Sequence, residues 1–134
     1  MTTVCVIWTE GYDDDMSLFK TLCKEKGFTF QYFSSVISGY KCIKDNQPNV
    51  VIVKRIVLSQ DDGLVLCRQI RQDEHNSKNP LIAGWADIRG TFEEAYLAGA
   101  NGCFGHVYNI VGVFQMIDSL LKNPTLERLA DQYL

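Results

Sequence analysis

Short apolar, β-branched runs alternate with segments of helical period along nearly the whole chain, and this alternation restricts the fold more than any other feature. Val4-Cys5-Val6-Ile7-Trp8 is a continuous apolar run, as expected of a strand covered on both faces. Asp13-Asp14-Asp15 follows, and then Met16, Phe19, Leu22 and Cys23 recur at helical spacing. Three acids in a first turn favour a helix start through the macrodipole, and Gly27 ends that helix close to Lys24 and Lys26. Phe28 to Phe33 alternates with a two-residue period and is aromatic, so it reads as a second strand. Ser34-Ser35 can cap a second helix that carries Val36, Ile37, Tyr40 and Ile43 on one face and is closed by Pro48. Asn49 to Lys54 is the third strand.

The pattern continues in the second half. Gly63 to about Glu74 reads as a helix with Leu66, Cys67 and Ile70 facing inward. Leu81 to Trp85 is a fourth strand, Thr91 to about Leu97 a short helix, Gly102 to Gly105 a glycine-rich fifth strand and Ile110 to Lys122 a fifth helix. Five strand-then-helix units imply a parallel sheet with helices on both faces: a doubly wound, three-layer α/β/α domain. Residues 1–122 make up that domain and 123–134 a tail. Asn123-Pro124 reads as the N-cap and first residue of a short extra C-terminal helix, with Leu126, Leu129, Ala130 and Tyr133 on one face. A helix this short is marginal alone, so that face is expected to pack on its own domain or on a second chain.

Composition narrows the function. The 134 residues carry a net charge of −3, so there is no basic footprint for nucleic acid or anionic lipid. No apolar run approaches the roughly 20 residues of a membrane span, and no secretory leader is readable. A cytoplasmic location is expected. The cysteines, at 5, 23, 42, 67 and 103, are odd in number and lack C-x-x-C spacing. They read as small buried hydrophobes in a reducing compartment, not as a disulfide framework or a zinc site. No phosphate-binding glycine loop occurs, and no nucleophile with an oriented base can be picked out. His75 and His106 read as structural or surface histidines. Neither a cofactor, a metal nor an enzymatic activity is expected.

Two segments resemble framework segments of response-regulator receiver domains: Asp62-Gly63-Leu64-Val65-Leu66-Cys67-Arg68-Gln69-Ile70-Arg71 and Ala98-Gly99-Ala100-Asn101-Gly102-Cys103. The resemblance covers roughly Thr3 to Lys122 and implies a CheY-like, flavodoxin-like (βα)5 fold. In that family two acids after the first strand and an aspartate after the third hold magnesium and the phosphoryl group. A hydroxyl residue after the fourth strand and a lysine after the fifth hold the phosphoryl oxygens.

This chain departs from that pattern at each position. Trp8, Thr9 and Glu10 follow the first strand, and Glu10 can stand in for one acid. Counting back from Gly63 puts Arg55 at the acceptor position, and counting forward from Pro48 puts Lys54 there. Trp85 replaces the hydroxyl residue, with Ala86 following, and His106 replaces the lysine. One acid supplies too few oxygens to hold magnesium well. An ion pair from Lys54 or Arg55 to Glu10 or to one of Asp13 to Asp15 is the expected substitute.

The chain therefore reads as a degenerate pseudo-receiver, a phosphorylation-independent signalling module of a two-component-type pathway acting by protein–protein contact. The family's usual contact face maps to Thr91–Leu97, Gly102–Gly105 and Ile110–Lys122. With the tail added, the candidate contact residues are Phe92, Tyr96, Phe104, Tyr108, Phe114, Leu126, Leu129 and Tyr133, facing a signalling partner or a second copy in a homodimer. Trp8, Trp85 and Tyr108 are expected to plug the old phosphoryl pocket. Two alternatives stand beside this reading. One is a small-ligand sensor with Trp8, Trp85, His106 and Tyr108 lining a pocket at the strand edge. The other is a working receiver with a displaced acceptor, for which Asp61-Asp62 is the tempting site, although those acids read more simply as a helix cap.

Overall fold

A computed structural model describes residues 2–8, 13–54, 56–58, 61–73, 81–84, 91–105 and 109–130. The elements run β1 (Thr3–Ile7), α1 (Asp13–Glu25), β2 (Thr29–Phe33), α2 (Val36–Asn46) and β3 (Val50–Lys54), then β4 (Ile56–Leu58), β5 (Asp61–Asp62) and α3 (Gly63–Gln72). They continue with β6 (Leu81–Gly84), α4 (Thr91–Leu97), β7 (Gly102–Phe104), α5 (Ile110–Lys122) and β8 (Leu129–Ala130). The main sheet has the order β2-β1-β3-β6-β7-β8, and every neighbouring pair in it is parallel.

The period-two geometry of β1 and β3 divides the core in two. Cys5, Ile7, Val51 and Val53 face one side, where they meet Ile43 of α2, Leu66, Cys67 and Ile70 of α3 and Ala95 of α4. Val4, Val6, Trp8, Val50 and Ile52 face the other, against Phe19 and Cys23 of α1 and Val113, Phe114, Ile117 and Leu120 of α5. Helices on both faces of a parallel sheet make the three-layer, flavodoxin-like architecture expected from the alternation.

Local signals place the helix ends where the sequence suggests. Ser35 caps α2 by accepting from the Ser38 N–H at 3.2 Å. Asn109 caps α5 by accepting from the Val111 N–H at 2.8 Å. One face assignment fails. The sequence pattern groups Ile37 with the inward residues of α2, yet it is 82% exposed, while Val36, Tyr40 and Ile43 face the core. The loop expected before α3 contains a strand pairing: Asp61–Asp62 pairs antiparallel with Ile56–Leu58. The capping role read for these acids concerns side chains outside the described residues.

The tail is the main correction. Over the described residues it is no helix but a turn followed by β8, a sixth strand parallel to β7. Asn123 does not start a helix; its Oδ1 accepts from the Thr125 hydroxyl at 2.7 Å and from the Thr125 N–H at 3.2 Å. The side-chain amide of Asn101 then donates to the carbonyls of Leu126, at 2.7 Å, and Pro124, at 3.4 Å. A helix would need those carbonyls for its own ladder. A few residues with a costly helix nucleus lose to a strand edge that offers ready partners.

All five cysteines are free and buried, as expected. Burial pushes Cys5, which also has Cys42 beside it, and Cys103 up to about 12, and Cys23 up to about 11, from an ordinary 9.0. A folded-state pKa raised above the unfolded one stabilises the fold at pH below about 9, and that contribution is lost as pH rises towards 12. The native chain should therefore react very slowly with a thiol reagent at pH 8 and should lose stability steeply above pH 9. Rapid labelling of Cys5 or Cys103 in the folded protein, read by peptide mass, would contradict this.

Candidate functional site at the carboxyl edge of the sheet

Sites in open parallel sheets form beyond the carboxyl ends of the strands. Among the described residues that edge is built by Trp8 after β1, Lys54 at the end of β3 and Gly105 after β7. The register pairs Ile7 with Val53, so Trp8 and Lys54 are neighbours on the α1/α5 face.

Trp8 has no solvent exposure. Its ring stacks on Phe104 with centroids 5.9 Å apart and planes 10° apart, and it meets Phe19 at 6.5 Å. Lys54 is 7% exposed, and its Nζ lies 5.9 Å from the centroid of the Trp8 ring. That is within the reach of a cation–π contact, which gains strength when desolvated. Sequence reading expected a carboxylate partner for Lys54 or Arg55. Arg55 and Glu10 lie outside the described residues, as do the side chains of Asp13 to Asp15. The enclosed Trp8 cannot line an open ligand pocket, which corrects that part of the sensor alternative. Thr9, Trp85, Ala86, His106, Tyr108 and Tyr133 also lie outside the described residues.

Gly63, the second residue of the first framework segment, explains why α3 starts where it does. A Cβ there would meet the backbone carbonyl of Lys54 directly and the Cγ1 of Val53 at 2.6 Å. The helix thus packs on the very end of β3. Gly99, the second residue of the second segment, has φ +107, and a Cβ there would meet Nε of Arg71 at 2.9 Å. Both segments serve packing and chain direction in this structure.

The candidate contact face is also corrected. Phe104 and Phe114 are 0% and 3% exposed and belong to the core, so they cannot meet a partner. Phe92, Tyr96, Leu126 and Leu129 are partly buried and pack against the two core clusters. The large apolar side chains exposed on α4 and α5 are Leu97 and Val111.

Sequence reading missed a polar cluster at the opposite edge of the sheet. Arg71 donates to the Gly99 carbonyl through Nε, at 2.9 Å, and Nη2, at 2.6 Å. It also donates to Oδ1 of Asn101 at 2.8 Å. Burial lowers the Arg71 pKa from its ordinary value. These groups border a groove of about 860 Å³, together with Pro48, Tyr96, Leu121, Pro124 and Arg128. The available signal was Asn101, a polar residue inside an apolar strand approach, and its role depends on a tail far away in sequence.

The fold is similar to that of response-regulator receiver domains. A two-component response regulator from Clostridium difficile superposes with a TM-score of 0.80 at 19% identity, covering 93% of this chain and 99% of that one. The receiver domain of the sensor histidine kinase PA1611 from Pseudomonas aeruginosa, solved with magnesium in its active-site cleft, gives 0.78 at 15% identity, covering 91% and 98%. A Francisella response-regulator receiver domain gives 0.79 at 18% identity, covering 91% and 98%. No protein-family model matches the chain, and no curated protein matches it in sequence. Among the described residues no helix is long and apolar enough to cross a membrane.

Proposed function

We propose that this chain is a degenerate receiver: a non-enzymatic, cytoplasmic signalling module of a two-component-type pathway that works by protein–protein contact without phosphorylation. One observation carries the reading. The last residue of β3 is Lys54, held at 7% exposure against the Trp8 ring. An ammonium cannot form the acyl phosphate that an aspartate forms, and it offers a divalent metal no oxygen ligand. Trp8, packed between Phe19 and Phe104, fills space beside it. The contact surface then falls to exposed groups of α4, α5 and the tail, with Leu97 and Val111 as its apolar members. Signalling proteins or a second copy are the partner classes such a surface fits.

Intact-mass analysis after incubation with magnesium and acetyl phosphate tests this. No adduct is expected under conditions that label an ordinary receiver. A stoichiometric, base-labile adduct would overturn the proposal, and mapping it to Asp61, Asp62 or Asp13 to Asp15 would favour a displaced acceptor.

A further inference from the structure

The segment 123–130 is held by hydrogen bonds, most of them to its main chain, and by Leu126 and Leu129, which pack against the core. Leu129 N–H donates to the Asn101 carbonyl at 2.9 Å, and the Tyr96 hydroxyl donates to the Leu129 carbonyl at 2.8 Å. The Asn101 amide holds the Leu126 and Pro124 carbonyls. One side-chain pair adds specificity: Arg128 forks onto Glu93 of α4 at 2.8 and 3.1 Å, and its guanidinium carbon lies 5.1 Å from the Tyr96 ring centroid. Among the described residues, two of β8 pair with β7. The connection from α5 spans Asn123 to Arg128, and Arg128 sits at φ 56, a left-handed conformation that a non-glycine residue holds at a cost.

These features define what else can occupy the β7 edge. An identical body offers an identical site, so the same segment of a second copy reproduces the β8–β7 pairing, the Tyr96 hydroxyl bond and the Glu93–Arg128 pair, while the Asn101 bonds to Pro124 and Leu126, which lie in the connection, are given up. Straightening the connection removes the left-handed turn at Arg128, and six extended residues reach roughly 20 Å. We propose that β8, carried on the connection 123–128, is an exchangeable strand. The β7 edge takes it from its own chain in the monomer and from the second copy in a reciprocal dimer. Release of the tail then changes the oligomeric state, whether or not the carboxyl edge signals as proposed above.

The Glu93–Arg128 pair allows a test without touching the core, since both side chains are more than half exposed, at 55% and 58%. Glu93→Arg sets two arginines face to face, and Arg128→Glu sets two glutamates face to face. Each variant alone weakens its own tail contact. In an equimolar mixture, exchange places every tail on a body of opposite charge. The mixture should contain about tenfold more dimer than either variant alone, equimolar in composition by native mass spectrometry, and high salt should reduce the excess. The double variant restores the pair within one chain and should match the parent. A mixture with no more dimer than the separate variants overturns the proposal. The parent chain, refolded at millimolar concentration, gives a second reading. A slowly dissociating dimer by light scattering supports exchange, and a strict monomer counts against it.

Discussion

Replacing Trp8 by alanine should cost about 4 kcal/mol of folding stability, within the range for removing a fully buried large aromatic. The ring has no exposure and is enclosed by Phe104, Phe19 and the Lys54 ammonium. Its removal leaves a cavity between β1, α1 and β7, and it leaves a buried cation without its aromatic face. For a domain with a typical stability of roughly 5–15 kcal/mol, such a loss brings the chain near its unfolding threshold. Trp8→Phe keeps one ring against Phe104 and should cost about half as much. Urea unfolding with an unchanged m-value would measure this. A loss below about 1 kcal/mol for Trp8→Ala would mean that the ring is not enclosed. A double-mutant cycle with Lys54→Met should show a coupling of about 0.5–2 kcal/mol if the ammonium rests on the ring.

Gly63→Ala should destabilise by about 3 kcal/mol, although alanine is the better helix former by about 1 kcal/mol. The opposing term is steric. The added methyl would run into the Lys54 carbonyl, which is backbone held in the sheet, as well as the Val53 side chain. A flexible side chain could swing away; the backbone carbonyl of an interior strand cannot do so without moving the strand. α3 must then shift off the end of β3, loosening Leu64, Leu66, Cys67 and Ile70 in the core. A stabilised Gly63→Ala variant in thermal unfolding would show that α3 does not press on β3 as described. The same variant bears on the candidate site, because Lys54 is both the residue under pressure and the cation at the strand end.

Much of the domain was legible without coordinates. The apolar run Val50 to Val53 and the stripe Leu66, Cys67, Ile70 announce a covered strand and a one-faced helix, and both appear as read. The cation at the end of β3 was also legible, because a strand's end follows from where its apolar run stops. The pairing of Lys54 with Trp8 was within reach: residues of matching parity on adjacent parallel strands share a face once the register is known. Phe104 and Phe114 show the limit. Aromatics at helix and strand positions suit a core or a contact surface equally well, and only the packing of α5 and α1 over the sheet assigns them to the core.

Residue type and spacing were enough to set the order of the main-sheet strands and of the helices up to Lys122, though not the β4–β5 hairpin, because periodicity and caps act within a few residues of chain. They could not set the state of residues 123–130. There a weak local preference for helix met partners distant in sequence: Asn101 for two carbonyls, Tyr96 for a third and Glu93 for Arg128. A short helix gains little from its own hydrogen bonds, while an open β7 edge satisfies the same backbone groups in an already ordered frame. The strand prevails there because the rest of the fold had already put its partners in place.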